Sequence, residues 1–162
     1  MRKHIINFVI FGFILLPLLL WLLWIIKPSH KTNILVMDKT VLTDFGLEHR
    51  TFEWMLTHGK YFKLNGDFYS PQRDYLGFFP LGNDRFKIND LSKLTERQLD
   101  SLSTCTDMTY FTDTYGIYSN EWYRKKDLAE HSEKVYGGLD KNDVLYLKQM
   151  KQKKADDLNV SC

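Results

Sequence analysis

The stretch NILVMD, residues 33–38, is a short, continuous apolar run that ends in an acidic residue. An uninterrupted run of this length is typical of a strand buried on both faces of a parallel sheet. Downstream, Thr43 or Asp44 can cap a helix that Gly59 would end. The apolar residues near one face of this helix are Leu47, Phe52, Met55 and Leu56. A strand followed at once by an amphipathic helix predicts an α/β fold.

Later segments continue the same pattern. The residues Thr95 to Gln98 match a capping box at the start of a short helix with Leu94, Leu99 and Leu102 on its apolar side. The β-prone run 108–112 predicts a second parallel strand. Asp140 is expected to cap a last helix that continues to about Lys151. Its predicted buried positions are Leu139, Val144, Leu147 and Met150.

The segment after this last helix is too short and too polar to be a central strand. We therefore expect an incomplete parallel sheet of the flavodoxin-like type, with flanking helices. A protein partner would then supply the missing strands, or the chain is a truncated, non-functional product.

The region 60–90 is rich in aromatic residues and also in Gly, Asn and Asp. We interpret it as an insertion, with a hairpin turn at Asn65 and Gly66. The candidate aromatic surface for a sugar or a peptide consists of Tyr61, Phe68, Tyr69 and Tyr75. Packing of these rings against the sheet is the more common arrangement and is the favoured alternative.

Upstream of the first strand, the residues from Ile5 to Ile26 carry no charged side chain. A helix of this length covers the roughly 30 Å hydrocarbon core of a bilayer. No small-residue cleavage site follows it, which favours an uncleaved signal anchor over a signal peptide. The residues expected at the far membrane interface are Trp21, Trp24 and Lys27.

These signals divide the chain into five parts. They are a cytoplasmic tail (1–4), a transmembrane helix (5–26), a linker (27–32), an α/β domain (33–154) and a frayed tail (155–162). The flanking positive charges are nearly balanced, but long domains translocate largely regardless of charge. We therefore expect a single-pass membrane protein with an extracytoplasmic, periplasmic-type domain.

Composition narrows the classes of partner. The chain has 22 Lys and Arg against 20 Asp and Glu, and a domain this close to neutral lacks the basic surface that nucleic-acid binding requires. The lipid bilayer is the expected partner, and no cofactor is predicted. Cys105 and Cys162 match neither a zinc spacing nor a redox motif, and Cys105 is expected to be at least half-buried.

Two acids follow predicted strands. Because ligands gather at the carboxyl ends of parallel strands, Asp38 and Asp113 could form a paired carboxylate site for a metal or for proton transfer. The alternative is that each acid caps a turn, as Asp commonly does. His49 and His58 are expected to be surface or cap residues rather than a metal pair.

The run 35–42, LVMDKTVL, has some resemblance to the first motif of the haloacid-dehalogenase phosphatases, with Thr40 at the position of the usual general acid. More of the chain resembles the N-terminal part of bacterial membrane-anchored proteins of unknown function, which are similar in fold to class I glutamine amidotransferase-like domains. That resemblance covers residues 33 to about 151 through the segments EHRTFEW (48–54), DYLGFFP (74–80), TDTYGIY (112–118) and YGGLD (136–140). It implies a fold and no glutaminase activity, since neither cysteine lies in the context of the catalytic nucleophile.

The sequence therefore predicts an extracytoplasmic domain that binds a ligand or a protein partner, without a complete catalytic site. The alternative from another class is a metal-dependent hydrolase, or its remnant, that uses Asp38 and Asp113.

Overall fold

The computed structural model describes residues 2–43, 45–123 and 132–160, and the chain divides into two compact units, 1–30 and 31–162. The first unit contains helix α1 (Arg2–Ile26), with Pro17 inside it. Within the described residues, the stretch Ile6–Ile26 is long and apolar enough to cross a membrane. A signal sequence meets the same criteria of length and composition.

The second unit is built on a four-stranded mixed sheet. One strand pairs in parallel with a neighbour on each side, and an antiparallel strand forms one edge of the sheet. From edge to edge, the strands are β5 (Arg85–Asn89), β4 (Leu76–Gly82), β2 (Ile34–Asp38) and β6 (Met108–Phe111). The remaining strands are short: β1 (His30–Lys31), β3 (Tyr61–Phe62), and the antiparallel pair β7 (Ile117–Tyr118) and β8 (Lys134–Tyr136).

In the described parts of the chain, four helices follow α1. They are α2 (Arg50–Gly59), α3 (Glu96–Cys105), α4 (Ser119–Trp122) and α5 (Lys141–Val160), and a 3-10 turn covers Leu91–Lys93. The Thr95 capping box is present: Thr95 accepts a hydrogen bond from the Gln98 backbone, and the Gln98 side chain accepts one from Thr95. The predicted cap of the last helix is also present, since Asp140 Oδ1 accepts from the backbone of Asn142 and Asp143 at 2.8 and 2.9 Å.

Helices cover both faces of the sheet, and β2 contributes to both interfaces. Its residues Ile34 and Val36 pack in one cluster with Phe52 and Leu56 of α2. Met37 packs on the opposite face in a second cluster, formed with side chains of α3 and α5 that include Leu99, Tyr146 and Met150. The prediction of a strand buried on both faces and paired in parallel with the run 108–112 is confirmed.

The region 60–90 is not an insertion beside the sheet, because it supplies two of the sheet's four strands. Asn65 and Gly66 form a tight turn, but no strand follows it directly. The hairpin of this region joins β4 to β5 through Asn83 and Asp84, which both have positive φ. Such angles are required in the type I′ turns that match the twist of paired strands.

Two predicted helix faces are wrong in detail. In α2, Leu47 lies before the helix and Met55 is exposed, whereas Glu53 is buried. The N-cap residue of α2, His49, forms no side-chain cap hydrogen bond. The predicted cap Thr43 lies seven residues before the first helical residue, and the alternative, Asp44, lies outside the described residues. Among the described side chains of α5, the buried ones are Asp143, Tyr146 and Met150, while Val144 is exposed. Leu139 lies before the helix and is also exposed. This helix reaches Val160 rather than ending near Lys151.

Candidate functional site

The carboxyl end of β2 carries two adjacent charged residues that are both buried, Asp38 and Lys39. Each forms an ion pair with the beginning of a different helix. Asp38 Oδ2 lies 2.8 Å from Nδ1 of His49, the residue before α2. Lys39 Nζ contacts Asp143 in the first turn of α5 and donates to the Gly138 carbonyl at 3.0 Å. Through these side-chain contacts, the carboxyl end of β2 is linked to α2 and to α5.

Both oxygens of the Asp38 carboxylate take part in hydrogen bonds within the fold. Oδ1 accepts from the backbone N–H and the hydroxyl of Thr40 at 3.0 and 2.9 Å. The other ring nitrogen of His49, Nε2, lies 2.8 Å from the carbonyl of Pro71. With both ring nitrogens placed against oxygen acceptors, the doubly protonated imidazolium satisfies both contacts. These contacts hold the two ends of the loop 39–49.

The environment of His49 includes a second acid. Glu53 Oε1 lies 4.0 Å from His49 Nε2, and neither oxygen of this buried carboxylate has a hydrogen-bond partner. Desolvation raises the pKa of Glu53 to about 7, against the opposing charge of His49. For His49, burial by itself lowers the pKa, but the hydrogen bonds to Asp38 and Pro71 and the nearby negative charges raise it overall. His49 is thus a buried residue at the N-cap position of α2, where its side chain forms no cap hydrogen bond, whereas His58 is exposed.

Asp113 occupies a different environment from Asp38. Its backbone carbonyl accepts from the N–H of Lys39 at 3.3 Å, so the ends of β2 and β6 are neighbours. Its side chain is exposed, and Oδ1 accepts from the backbone of Thr114 and Tyr115 at 2.6 and 2.8 Å. The acid therefore stabilises a local turn. Among the described residues, no group of three or more His, Cys, Asp or Glu side chains is arranged to hold a metal ion.

The predicted aromatic surface is only partly exposed. Tyr61 and Phe68 are exposed, whereas Tyr69 and Tyr75 belong to the core, as the favoured alternative of packing against the sheet predicted, and are not part of an aromatic surface. The Tyr69 hydroxyl donates to the Thr32 carbonyl at 2.6 Å, and the Tyr75 hydroxyl donates to the Phe78 carbonyl at 2.7 Å. Buried tyrosines with satisfied hydroxyl groups are structural elements of the sheet.

The three residues predicted at the membrane interface lie at the end of α1 and directly after it. Trp21 and Lys27 are exposed and Trp24 is partly exposed. Cys105 is a free and exposed thiol rather than a buried one. Cys162 lies outside the described residues.

A groove of about 790 Å³ lies beyond the carboxyl ends of β2 and β4, and we call it the carboxyl-edge groove. It is formed by the loop after β2, the β4–β5 hairpin and α4. Its apolar lining consists of Leu42, Phe45, Pro80, Leu81, Trp122 and Tyr123. Its polar lining consists of Thr43, Asn83, Asp84 and Glu121.

The groove is supported by rigid packing below it. The buried Trp122 ring packs edge-on against Phe78 of β4 with centroids 4.8 Å apart, in a cluster with Ile117. On the other wall, the loop 39–49 is held by the two hydrogen-bonded oxygens of Asp38. The groove therefore keeps Leu42, Phe45 and Leu81 substantially exposed, at 38, 61 and 57%.

Sequence analysis missed this groove because its residues come from three separate segments. No segment has a distinctive motif by itself, and the local signal is weak: two apolar residues, Leu42 and Phe45, in the loop that follows a buried strand. Comparison with protein-family models, curated proteins and solved structures found no match.

Proposed function

We propose that this chain is a single-span membrane protein whose extracytoplasmic α/β unit binds a peptide segment of a protein partner in the carboxyl-edge groove. The groove itself carries this proposal, because it lies where open parallel sheets bind their ligands and exposes several large apolar side chains together. Clustered apolar exposure of this kind marks binding sites on protein surfaces.

The charges of the groove define the expected peptide. Asp84 and Glu121 are acidic, and the described residues that line the groove include no lysine or arginine. A segment with one or two large apolar side chains, flanked by a basic residue, is complementary to this lining. Glu121 also accepts a hydrogen bond from the backbone of Tyr118 at 3.1 Å, which leaves Asp84 as the more available acid.

Binding without catalysis is the chemistry that these side chains favour. Asp38 and His49 resemble an acid–base pair in their contact, but they are fully buried and their polar atoms bond to Thr40 and Pro71. A general base must reach the proton that it abstracts from a substrate. We therefore assign Asp38 and His49 to the support of the loop that forms one wall of the groove.

The sheet order supports the finer fold prediction. The three parallel strands occur in the spatial order β4, β2, β6, which is second, first, third along the chain. Flavodoxin-like sheets begin with this order. A further strand of such a sheet, from a partner as predicted or from elsewhere, would pair with the outer edge of β6.

The test uses the full-length protein in detergent micelles and fluorescent 12-residue peptides of defined composition. One peptide has a central Leu-Phe pair flanked by arginines, and its match has glutamates in place of the arginines. We expect the basic peptide to bind more tightly, and Leu81→Ser to weaken its binding at least about tenfold, which corresponds to about 1.4 kcal/mol. Asp84→Asn should reduce the preference for the basic peptide.

Leu64→Ser is the matched control, because Leu64 is 60% exposed and Leu81 57% exposed. Leu64 lies near the opposite end of the sheet, two residues after Phe62, whose carbonyl accepts a hydrogen bond from Thr32 ahead of β2. Equal binding of both peptides, or equal effects of the two leucine substitutions, would contradict the proposed site.

A further inference from the structure

A tight turn after β3 exposes apolar side chains at the amino end of the sheet. Within it, the backbone N–H of Lys63 donates to the Asp67 carbonyl at 2.9 Å, and that of Gly66 donates to the Lys63 carbonyl at 2.9 Å. The Asn65 side chain bonds both the backbone and the carboxylate of Asp67. This network holds Leu64 at the tip of a rigid turn, where the side chain is 60% exposed.

Aromatic residues flank the leucine in the sequence. Phe68 is 48% exposed and Tyr61 is 39% exposed, and the Phe68 ring lies 4.6 Å from that of Phe62 between centroids. We call the exposed side chains of Leu64 and Phe68 in this segment the turn patch. An exposed leucine with an exposed aromatic ring in the same segment suits the boundary between headgroups and acyl chains, where aromatic residues are enriched.

The chain between the apolar helix and the strand before the turn patch is short. The apolar helix ends at Ile26, and Thr32 donates a hydrogen bond to the Phe62 carbonyl at 2.9 Å. Six residues of extended chain span at most about 21 Å. If α1 spans a bilayer, the strand that leads into the turn patch therefore cannot lie more than this distance, plus one hydrogen bond, from the end of the span.

Charges around the turn patch are compatible with a lipid surface. Lys31, Lys60 and Lys63 lie beside it in the chain, and Lys63 is paired with Asp74 at 2.9 Å. Asp67 is the acid within the turn, and its carboxylate accepts from Asn65. Lysines near a bilayer are attracted to anionic headgroups.

We infer that the turn patch docks onto the lipid bilayer in which α1 is inserted, with Leu64 and Phe68 in the headgroup layer. This inference rests on the proposed membrane anchor but not on peptide binding at the groove. It places the amino edge of the sheet against the membrane and points the carboxyl-edge groove away from it. At about 3.3 Å per residue, Leu81 lies roughly 25 Å further along the strand direction than the start of β2.

The experiment measures how close each end of the sheet comes to the bilayer. Full-length protein with Cys105→Ser and Cys162→Ser receives one new cysteine, Leu64→Cys or Leu81→Cys, and a fluorescent label. The protein is reconstituted into vesicles of phosphatidylcholine and phosphatidylglycerol, with or without lipids that carry a nitroxide quencher on the headgroup. We expect the quencher to reduce the Leu64→Cys fluorescence by about half or more, since label and quencher share one layer, and to leave that of Leu81→Cys nearly unchanged.

Phe68→Cys provides a second position, which should be quenched like Leu64→Cys. Equal quenching at Leu64→Cys and Leu81→Cys, or none at the two turn positions, would overturn the docking while leaving the membrane anchor intact. Protein that fails to float with the vesicles would overturn both the anchor and the docking. The peptide-binding measurement in micelles is independent of all these outcomes.

Discussion

Glu53 is the residue whose protonation the fold perturbs most clearly. It is 2% exposed, its oxygens have no hydrogen-bond partner, and the ionisable groups near it are His49, Asp74 and, through His49, Asp38. Its neutral form is favoured in the folded state because burial raises its pKa from 4.5 to about 7. Between these pH values, the unfolded chain loses the proton while the folded chain keeps it.

We therefore expect the free energy of unfolding to fall as the pH rises from 4.5 through about 7. The raised pKa of His49 acts in the same direction, since its stabilisation is complete below pH 6.5 and is lost as the pH rises through the folded value. Glu53→Gln should flatten the lower part of this dependence and be more stable than the natural chain at pH 8 by about 2 kcal/mol. Urea unfolding of the full-length protein in micelles at several pH values measures it.

Glu96→Gln is the control, because Glu96 is exposed in the first turn of α3. It should leave the pH profile within about 0.5 kcal/mol of the natural one. A Glu53→Gln profile with the same slope as the natural chain would mean that Glu53 is ionised in the folded state.

At this scale, the sequence predicts that Asp38 lies at the end of a strand but not which residues surround it. The apolar run that ends at Asp38 is a local signal, and it predicts that this residue lies at the end of a strand. The contact of Asp38 with His49, eleven residues later, depends on how the loop 39–49 folds back, and no local pattern encodes it. The same holds for Lys39 and Asp143, which are more than a hundred residues apart.

Among the elements, the pairing of β4 with β2 depends on a glycine. Gly77 pairs with Asp38 and has a φ of +149°, and a Cβ atom built on it would lie 1.7 Å from the Asp38 carbonyl oxygen. Only a residue without a side chain allows the two strands to approach in this way. The geometry makes this position the most sensitive point of the sheet.

We expect Gly77→Ala to destabilise the α/β unit by more than about 3 kcal/mol, since it combines a backbone clash with an unfavourable φ. Gly66→Ala is the matched control: its φ of +92° is also unfavourable, but nothing lies within 4 Å of the added Cβ. It should cost only about 1–2 kcal/mol of backbone strain. Circular dichroism during urea unfolding compares the two, and equal losses would show that strand contact at Gly77 is unimportant.

Elements with strong local signals were predictable, and those with conflicting signals were not. β2, β6 and the capped start of α3 follow from apolar runs and a capping box. β4 was missed because Pro80 and Gly82 argue against a strand, although the structure tolerates both near a bulge beside the hairpin. The buried face of α5 was predicted wrongly because it includes two polar residues, Asp143 and Tyr146. Their polar atoms form hydrogen bonds with Lys39 and Thr109.

For the whole molecule, the proposed topology can be tested through the exposed thiol of Cys105. If the α/β unit lies outside the cytoplasm, a membrane-impermeant maleimide should label Cys105 in intact cells as fully as in permeabilised ones. Cys162→Ser confines the reaction to this thiol, and Cys105→Ser with Cys162→Ser gives the background. Labelling that requires permeabilisation would assign the unit to the cytoplasm.

The overall architecture was accessible from sequence only as a class. Length and hydropathy identify α1, and alternating strand and helix signals identify an α/β unit. The groove could not be predicted, because it depends on the relative placement of segments that are distant in the chain. Phe68 of the turn patch was in the predicted aromatic surface, but the sequence did not show which rings of that segment remain outside the core. Tyr69 and Tyr75 were in the same aromatic segment as Phe68, and their packing separates them from it.

The adjacent ion pairs of Asp38 and Lys39 have a consequence for how the unit opens. Asp38 and Lys39 are consecutive residues. The Asp38 carboxylate pairs with His49 at the start of α2, and the Lys39 ammonium pairs with Asp143 at the start of α5. Detaching either helix from its face would leave a charge in a solvent-poor interior and would pull on the neighbouring residue that holds the other. The two helical layers should therefore exchange their amide hydrogens as a single cooperative foldon, with similar protection at the first turns of both helices.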